Sequence, residues 1–173
     1  MKMRVAVVIP NYNGERQLGP CLDSLAAQTA PAARVVVADN GSSDGSVPLA
    51  QNHPLKPLVL RLGANYGFAR AANAGAAAAP DCDIIAFLNN DAVAEPRWLA
   101  AGTEALESCP SAASVASLVL SAADPNVVDS AGDFIGRDFR PASRGRGRPA
   151  KEFSAPAEVL SACACAAFYR RAA

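Results

Sequence analysis

DIIAFLNNDA, residues 83–92, sets an apolar run against a polar end. The six residues DIIAFL (83–88) have the length and near-continuous apolar character of a strand covered on both faces. The run then closes on two amides and a carboxylate, Asn89, Asn90 and Asp91. A buried strand that finishes this way meets either solvent or a polar ligand.

Three further runs of the same kind lie upstream. RVAVVI (4–9) is β-branched and of buried-strand length, RVVVAD (34–39) repeats the pattern, and PLVLRL (57–62) gives a third strand. Helical spacing separates them. From about Glu15 to Gln28, Leu18, Leu22 and Leu25 recur with Cys21 on one stripe, and Pro20 inside this pattern is expected to kink the helix or shift its start. Asp44 or Ser46 is placed to cap a short helix reaching about Asn52. GANYGFARAANAGAAAA holds a loop and an alanine-rich helix, and Pro96 opens another in PRWLAAGTEALES. The order β-α-β-α-β-α-β-α to about residue 109 predicts an α/β fold, a mostly parallel sheet with helices on both faces. Beyond it the rhythm changes. SVASLVL (114–120) and EVLSACACAAFY (158–169) read as strands, VVDSAGDFIGRDF (127–139) as hairpin-like, and RPASRGRGRPAKEFSAP as a mobile loop.

Bulk properties narrow the function classes. The 173 residues suffice for one domain with its own core. Sixteen basic residues against sixteen acidic ones leave no net field to recruit nucleic acid. No apolar run approaches the roughly 20 residues of a membrane-spanning helix. MKMRVAVVIP begins like a signal peptide, but its apolar run is short and stops at Pro10, so it reads as a first strand. Five cysteines without a CxxC pair favour neither a disulfide framework nor a zinc site and fit a reducing, cytoplasmic setting. Cys163 and Cys165 read as small core residues on one face of a strand, and His53 as a solvated loop histidine.

In open parallel sheets, ligands sit beyond the C-terminal ends of the strands. The amides, carboxylates and glycines of this sequence gather there. Strand one runs into Pro10-Asn11-Tyr12-Asn13-Gly14, strand two into Asp39-Asn40-Gly41-Ser42, strand three leads to Asn65-Tyr66-Gly67-Phe68, and strand four ends in Asn89-Asn90-Asp91. Four such ends are expected to line one crevice.

Six ordered blocks, VVIPNYNG, CLDSLAAQT, VVVADNGSSDGS, NYGFARAANAG, FLNNDA and EPRWL, resemble the family 2 glycosyltransferases, and among them the rhamnosyltransferase-type members. The resemblance is strong from residue 4 to about 109 and weaker through VVDSAGDFIGR and SACACAAFYRR. It implies a GT-A fold in a single domain, with 1–109 as the nucleotide-sugar-binding half and 110–173 as an incomplete, truncated acceptor-side half. The implied reaction is inverting transfer of a sugar from a UDP- or dTDP-sugar to a hydroxyl of a saccharide or lipid-linked acceptor. Cell-surface polysaccharide or glycolipid synthesis is the setting, with peripheral association at the inner membrane face compatible with it.

The resemblance also distributes roles. Asp91 stands at the last position of the family's short acidic motif and would bind Mg²⁺ or Mn²⁺; such a hard cation accepts one carboxylate plus diphosphate oxygens and water. Asn89 fills the first position, where an amide can donate to a sugar hydroxyl or phosphate oxygen. On an extended backbone Asn89 and Asp91 would share a side and Asn90, which the resemblance also places among the nucleotide-sugar-binding residues, would face the other. Pro10, Asn11 and Tyr12 match the segment along base and ribose, with Tyr12 able to stack. Asp39 matches the position that accepts from the imide N–H of uracil or thymine. Arg70 matches a base- or phosphate-contacting arginine. Gly67 and Gly75 read as packing glycines, and RGRGRP, from Arg144, as a solvated loop within reach of a phosphate. The family's general base falls in an acidic motif after the SACACAAFYRR block, where this sequence ends at Ala173, so no base is named. A second reading therefore stays open: a catalytically incomplete nucleotide-sugar-binding domain with a partner or regulatory role. A Rossmann dehydrogenase is disfavoured, since IPNYNGER lacks G-x-G-x-x-G.

Overall fold

The computed structural model describes residues 3–172. Strands β1 (Val5–Asn11), β2 (Arg34–Asp39), β3 (Leu58–Arg61) and β4 (Ile84–Leu88) are parallel and alternate with helices α1 (Glu15–Ala26), α2 (Ser46–Asn52), α3 (Phe68–Ala77) and α4 (Trp98–Ser108). Short strands follow: β5 (Ser114–Ala116), β6 (Val119–Leu120), β7 (Val128–Ser130), β8 (Asp133–Ile135) and β9 (Pro141–Ser143), then β10 (Ala166–Arg170). The main sheet has the order β3-β2-β1-β4-β10-β5, in which β10 runs antiparallel to both its neighbours.

Alternation along β1 divides the core. Val5, Val7 and Ile9 join Leu18, Leu22, Leu99, Leu106 and Phe168 beneath α1 and α4. Ala6 and Val8 join Val36, Ala79, Cys82 and Ile85 on the face of α3. That second layer is thin because α3 is built from alanine. It approaches closely enough that a Cβ on Gly75 would overlap Val8, so the packing role read for this glycine holds. Pro20 sits inside α1, which starts at Glu15 regardless and ends at Ala26, two residues short of expectation.

The strand order reverses beside β1, and there the sheet opens. The carbonyls of Val5 and Asn11 accept from Ala33 and Asn40, so odd-numbered residues of β1 turn their backbone groups to β2 and even-numbered ones to β4. Pairing of β1 with β4 ends at Val8 opposite Phe87. Pro10, which has no N–H to give, falls just past that point and loses no ladder bond. The parting of β1 and β4 at their C-terminal ends is the topological switch point where ligands of open α/β sheets bind.

The second half departs from the sequence reading. The strand from 114 breaks at Ser117–Leu118 into β5 and β6, because β5 joins the main sheet while β6 pairs with β7. The 127–139 segment is not a hairpin with itself: β7 pairs with β6, and β8 with β9. The expected mobile loop supplies β9 and a single 3₁₀ turn (Ala150–Phe153), with Arg144 and Arg148 stacked over the Phe153 ring. The expected strand 158–169 contracts to β10. Cys163 is exposed and Cys165 half-buried, so neither belongs to the core as the sequence suggested. His53 is also corrected: its side chain is largely covered, with Nε2 3.1 Å from Asp23 Oδ1 and Nδ1 accepting from the Leu55 N–H.

Candidate functional site

The floor of the crevice is a buried polar network at the tips of β1 and β2. Asn11 is 2% exposed and Asp39 1%. The Asn11 Nδ2 group faces three acceptors, Asp39 Oδ1 at 3.3 Å, Ser42 Oγ at 3.2 Å and Ser46 Oγ at 3.0 Å. Asp39 Oδ2 accepts from the Ser42 N–H at 3.3 Å, which also starts the DNGSSDG turn. Among the described residues no buried side-chain nitrogen or oxygen lacks a partner, as the cost of orphaned polar groups requires. One wall is set by Asn40: its Nδ2 donates to Asn65 Oδ1 at 2.9 Å, and its Oδ1 accepts from the Tyr66 N–H at 2.9 Å. Gly67 then takes φ +85° ahead of α3, with open space where a Cβ would be, so its role is conformational and not the close packing the sequence suggested.

The other wall is the end of β4. Leu88 is the last strand residue, and Asn90–Asp91 form a turn closed by the Ala92 N–H donating to the Asn89 carbonyl at 3.1 Å. The extended backbone expected across Asn89–Asp91 is therefore replaced by a turn. The Asn89 N–H donates to the Cys165 carbonyl at 2.8 Å. Beneath it the Cys21 thiol faces the Asn89 carbonyl; burial, then the charge of Asp91, pushes that thiol up to about 12, so it stays protonated. Asn90 Nδ2 donates to Asn11 Oδ1 at 2.9 Å and so ties the tip of β4 to that of β1.

These walls enclose a cleft of about 380 Å³ lined by Pro10, Asn11, Tyr12, Asn89, Asn90 and Asp91, together with Asn40, Asn65, Gly67 and Phe68. Six of the eight residues singled out from the sequence thus meet in one place. Asp39 lies under the floor, outside the lining. Arg70 also lies outside it, its guanidinium 4.0 Å from the centre of the Tyr66 ring. Asn40, Asn65 and Phe68 were legible as strand-end residues but carried no individual role until the fold joined their loops.

A second, larger cleft of about 870 Å³ adjoins the first, lined chiefly by apolar residues such as Leu88, Trp98, Leu118, Val119 and Phe168. Asp91 lines both clefts and is their shared edge. Asp129 also lines the larger one and is paired with Arg146 at 3.1 Å, which draws the RGRGRP segment to that side.

Among the described residues, no cluster of three or more His, Cys, Asp or Glu side chains could hold a metal ion. The donors present are one exposed carboxylate, Asp91, flanked by the amides of Asn89 and Asn90. Among the described residues Asp91 is in no ion pair. That set suits a hard cation that takes most of its oxygens from a ligand and from water, and does not suit zinc in a closed protein site.

The Glycosyl transferase family 2 model matches residues 6–173. An uncharacterized glycosyltransferase of Nostoc sp. is 38% identical over 103 residues, which is 56% of this chain and 31% of the relative. The O-antigen chain rhamnosyltransferase of Salmonella typhimurium is 34% identical over 95 residues, 53% of this chain and 29% of the relative. The chain thus spans about a third of the length of these curated relatives. Among solved structures, a mannosyltransferase from Pyrobaculum calidifontis in complex with GDP-Man and Mn²⁺ superposes with TM-score 0.60 at 27% identity, over 72% of this chain and 37% of that one. S. aureus TarS 1-349 superposes with TM-score 0.68 over 97% of this chain and 47% of that one; at 20% identity this likeness shows the fold alone. The mostly parallel sheet with flanking helices is the GT-A architecture.

Proposed function

From the premise that this chain belongs to glycosyl transferase family 2, we propose that it forms the donor-binding part of an inverting glycosyltransferase. It would take a UDP- or dTDP-sugar in the polar cleft and present the sugar toward the larger cleft. The observation that carries this reading is the position of Asp91, the edge shared by a small polar cleft and a large apolar one. A diphosphate beside Asp91 would leave its base among the tips of β1 and β2 and its sugar at the boundary, facing an acceptor.

The side chains divide the work. Tyr12, half-exposed at the rim, offers a ring face for the base. Asp39 holds the floor, and its lone pairs not spent on Asn11 and Ser42 are those an imide N–H of uracil or thymine would need. Asn89 supplies an amide donor for a sugar hydroxyl or a phosphate oxygen. Asp91 would hold Mg²⁺ or Mn²⁺, and the bound cation supplies charge neutralisation on the diphosphate leaving group. Trp98 and its apolar neighbours would exclude water from the acceptor side. The rhamnosyltransferase of Salmonella supports rhamnose as the sugar and a cell-surface polysaccharide or glycolipid as the product.

Calorimetric titration of the chain with UDP, dTDP, GDP and CDP, each with and without Mn²⁺, tests the reading. UDP and dTDP are expected to bind in a metal-dependent way, and Asp91→Ala is expected to abolish that dependence while the fold persists. Equal affinity with and without Mn²⁺ would remove the role of Asp91, and preference for CDP would remove that of Asp39.

A further inference from the structure

Asn11 and Asn90 both line the polar cleft, yet their side chains are directed at each other. The Asn11 amide is almost fully buried, with Nδ2 committed to Asp39, Ser42 and Ser46 and Oδ1 accepting from Asn90 Nδ2. Little of it remains for a ligand. Its four partners belong to different parts of the site: Asp39 and Ser42 lie on the base side, Ser46 starts α2, and Asn90 is the residue immediately before Asp91.

Gly14 gives a second, independent sign that this bond is built in. Its backbone angles, φ −101° and ψ 25°, suit any residue, so conformation does not demand glycine there. Space does: a Cβ on Gly14 would come closer than 3.0 Å to both Asn90 Nδ2 and Asn11 Oδ1. The Asn90–Asn11 hydrogen bond is laid across the bare Cα of Gly14, and a methyl group there would occupy the place of that bond.

We propose that the Asn11–Asn90 pair is a clasp that couples the two ends of the nucleotide cleft, so that metal held at Asp91 and the base held near Asp39 strengthen one another's binding. Both asparagines are positioning residues acting through Asp91 and Asp39. Asp91 stands in a two-residue turn that the Asn89–Ala92 bond closes along the chain, and the Asn90 amide anchors that turn sideways to β1. With the clasp made, a cation on Asp91 lies at a fixed distance from the floor, and one diphosphate can satisfy both. With it broken, the turn is free to move and each end binds alone. Coupling between sites is reciprocal, so it is read as a single factor: the gain in nucleoside diphosphate affinity that the metal confers.

The inference rests on the donor-binding reading above, and the experiment separates the two. UDP and UMP are titrated into the full chain with and without Mn²⁺, for the wild type and for Asn90→Ala, Gly14→Ala and Asn11→Ala. The Mn²⁺ enhancement of UDP affinity is expected to fall by about fivefold or more in Asn90→Ala and Gly14→Ala. Metal-free UMP affinity is expected to fall by a smaller factor than the Mn²⁺ enhancement in both, because neither substitution removes the Asn11 Nδ2 contacts to Asp39 and Ser42; a general loss of structure would lower the two together. Asn11→Ala orphans several buried groups and is expected to lose stability, so the other two variants carry the test. A wild type that binds neither UDP nor UMP would overturn the donor-binding reading, and one that binds UDP without Mn²⁺ enhancement would overturn the role of Asp91 and the coupling with it. Enhancement in the wild type that survives intact in Asn90→Ala and Gly14→Ala, or that falls only in step with UMP affinity and melting temperature, would overturn the clasp and leave the donor-binding reading standing.

Discussion

Single residues at this site are constrained by what lies beside them more than by their own chemistry, and the cysteines show it. Cys21 sits under the turn that carries Asp91, and burial with that charge keeps its thiol protonated to about pH 12. Cys109 lies exposed after α4, where hydrogen bonds from the Ser111 side chain and the Ala112 backbone hold its thiol below the ordinary range. Thiolate is the reactive form. Iodoacetamide labelling followed by peptide mass mapping is therefore expected to modify Cys109 first, with a rate that levels off at lower pH than an unperturbed thiol, while Cys21 stays unmodified until denaturant is added. Labelling of Cys21 at the rate of Cys109 in the native state would show that the β4 turn opens. The sequence separated these two cysteines only in part: Cys21 stands on the apolar stripe of α1 and Cys109 just past the end of α4, but neither the charge above the one nor the hydrogen bonds to the other were legible. Gly14 was silent: its neighbour Asn90 is 76 positions away, and only the fold brings them together.

At the scale of elements, the N-cap residues of α1 and α2 are glycines with no side chain to cap with, and the carboxylates beside them serve across the two helices. Asp44 Oδ2 accepts from the Glu15 N–H at 2.9 Å, and Glu15 Oε2 accepts from the Gly45 N–H at 3.1 Å. The capping role read for Asp44 was correct in kind, but it serves two helices. Burial opposes ionisation of Asp44, and hydrogen bonds from the Ser46 hydroxyl and the Glu15 and Ser46 N–H groups outweigh it, leaving its carboxyl below the ordinary value. A depressed folded value means the stabilisation is complete above the unfolded value of about 3.9 and is lost as pH falls through the folded one. In melting curves taken between neutrality and acid, Asp44→Asn is expected to start lower than the wild type and to lose less on acidification. A parallel displacement at every pH would refute the ionic part of this cap. Strand β10 staples two further helices. Arg170 donates to the Leu106 carbonyl in the last turn of α4 and to the Ala112 carbonyl beyond it, and Arg171 to the Ala76 and Ala79 carbonyls at the end of α3. The RR pair, at the last residue of β10 and the first beyond it, thus reaches both layers at once.

On the whole-molecule scale, the two halves read from the sequence share one sheet. Strand β10 lies between β4 and β5 and pairs with both, so residues 166–170 complete a layer that begins with β1 at Val5. A chain ending at residue 160 would expose the edge of β4 and strip Phe168 from the core. It is expected to lose cooperative thermal unfolding, whereas Phe139→Ser, on a side chain 89% exposed, is expected to leave the melting temperature within about 2 °C. Cooperative unfolding of the shortened chain at an unchanged temperature would make 110–173 a separate unit after all. The first half was legible because a parallel βα repeat writes its elements as local periodicity, and because its loops carry the polar residues at one end. The second half was not. Its strands are two to five residues long, too short for a period, and their partners are chosen by distant backbone. By itself, the sequence determined the parallel sheet, its helices and the crevice end, since burial on both faces of a strand and on one face of a helix must appear as hydrophobic pattern. Only the tertiary structure decided that Asp91 turns between two clefts, that Asp39 lies under the floor and that Asn11 faces Asn90, because hydrogen bonds between strand tips depend on register and spacing that no local pattern encodes.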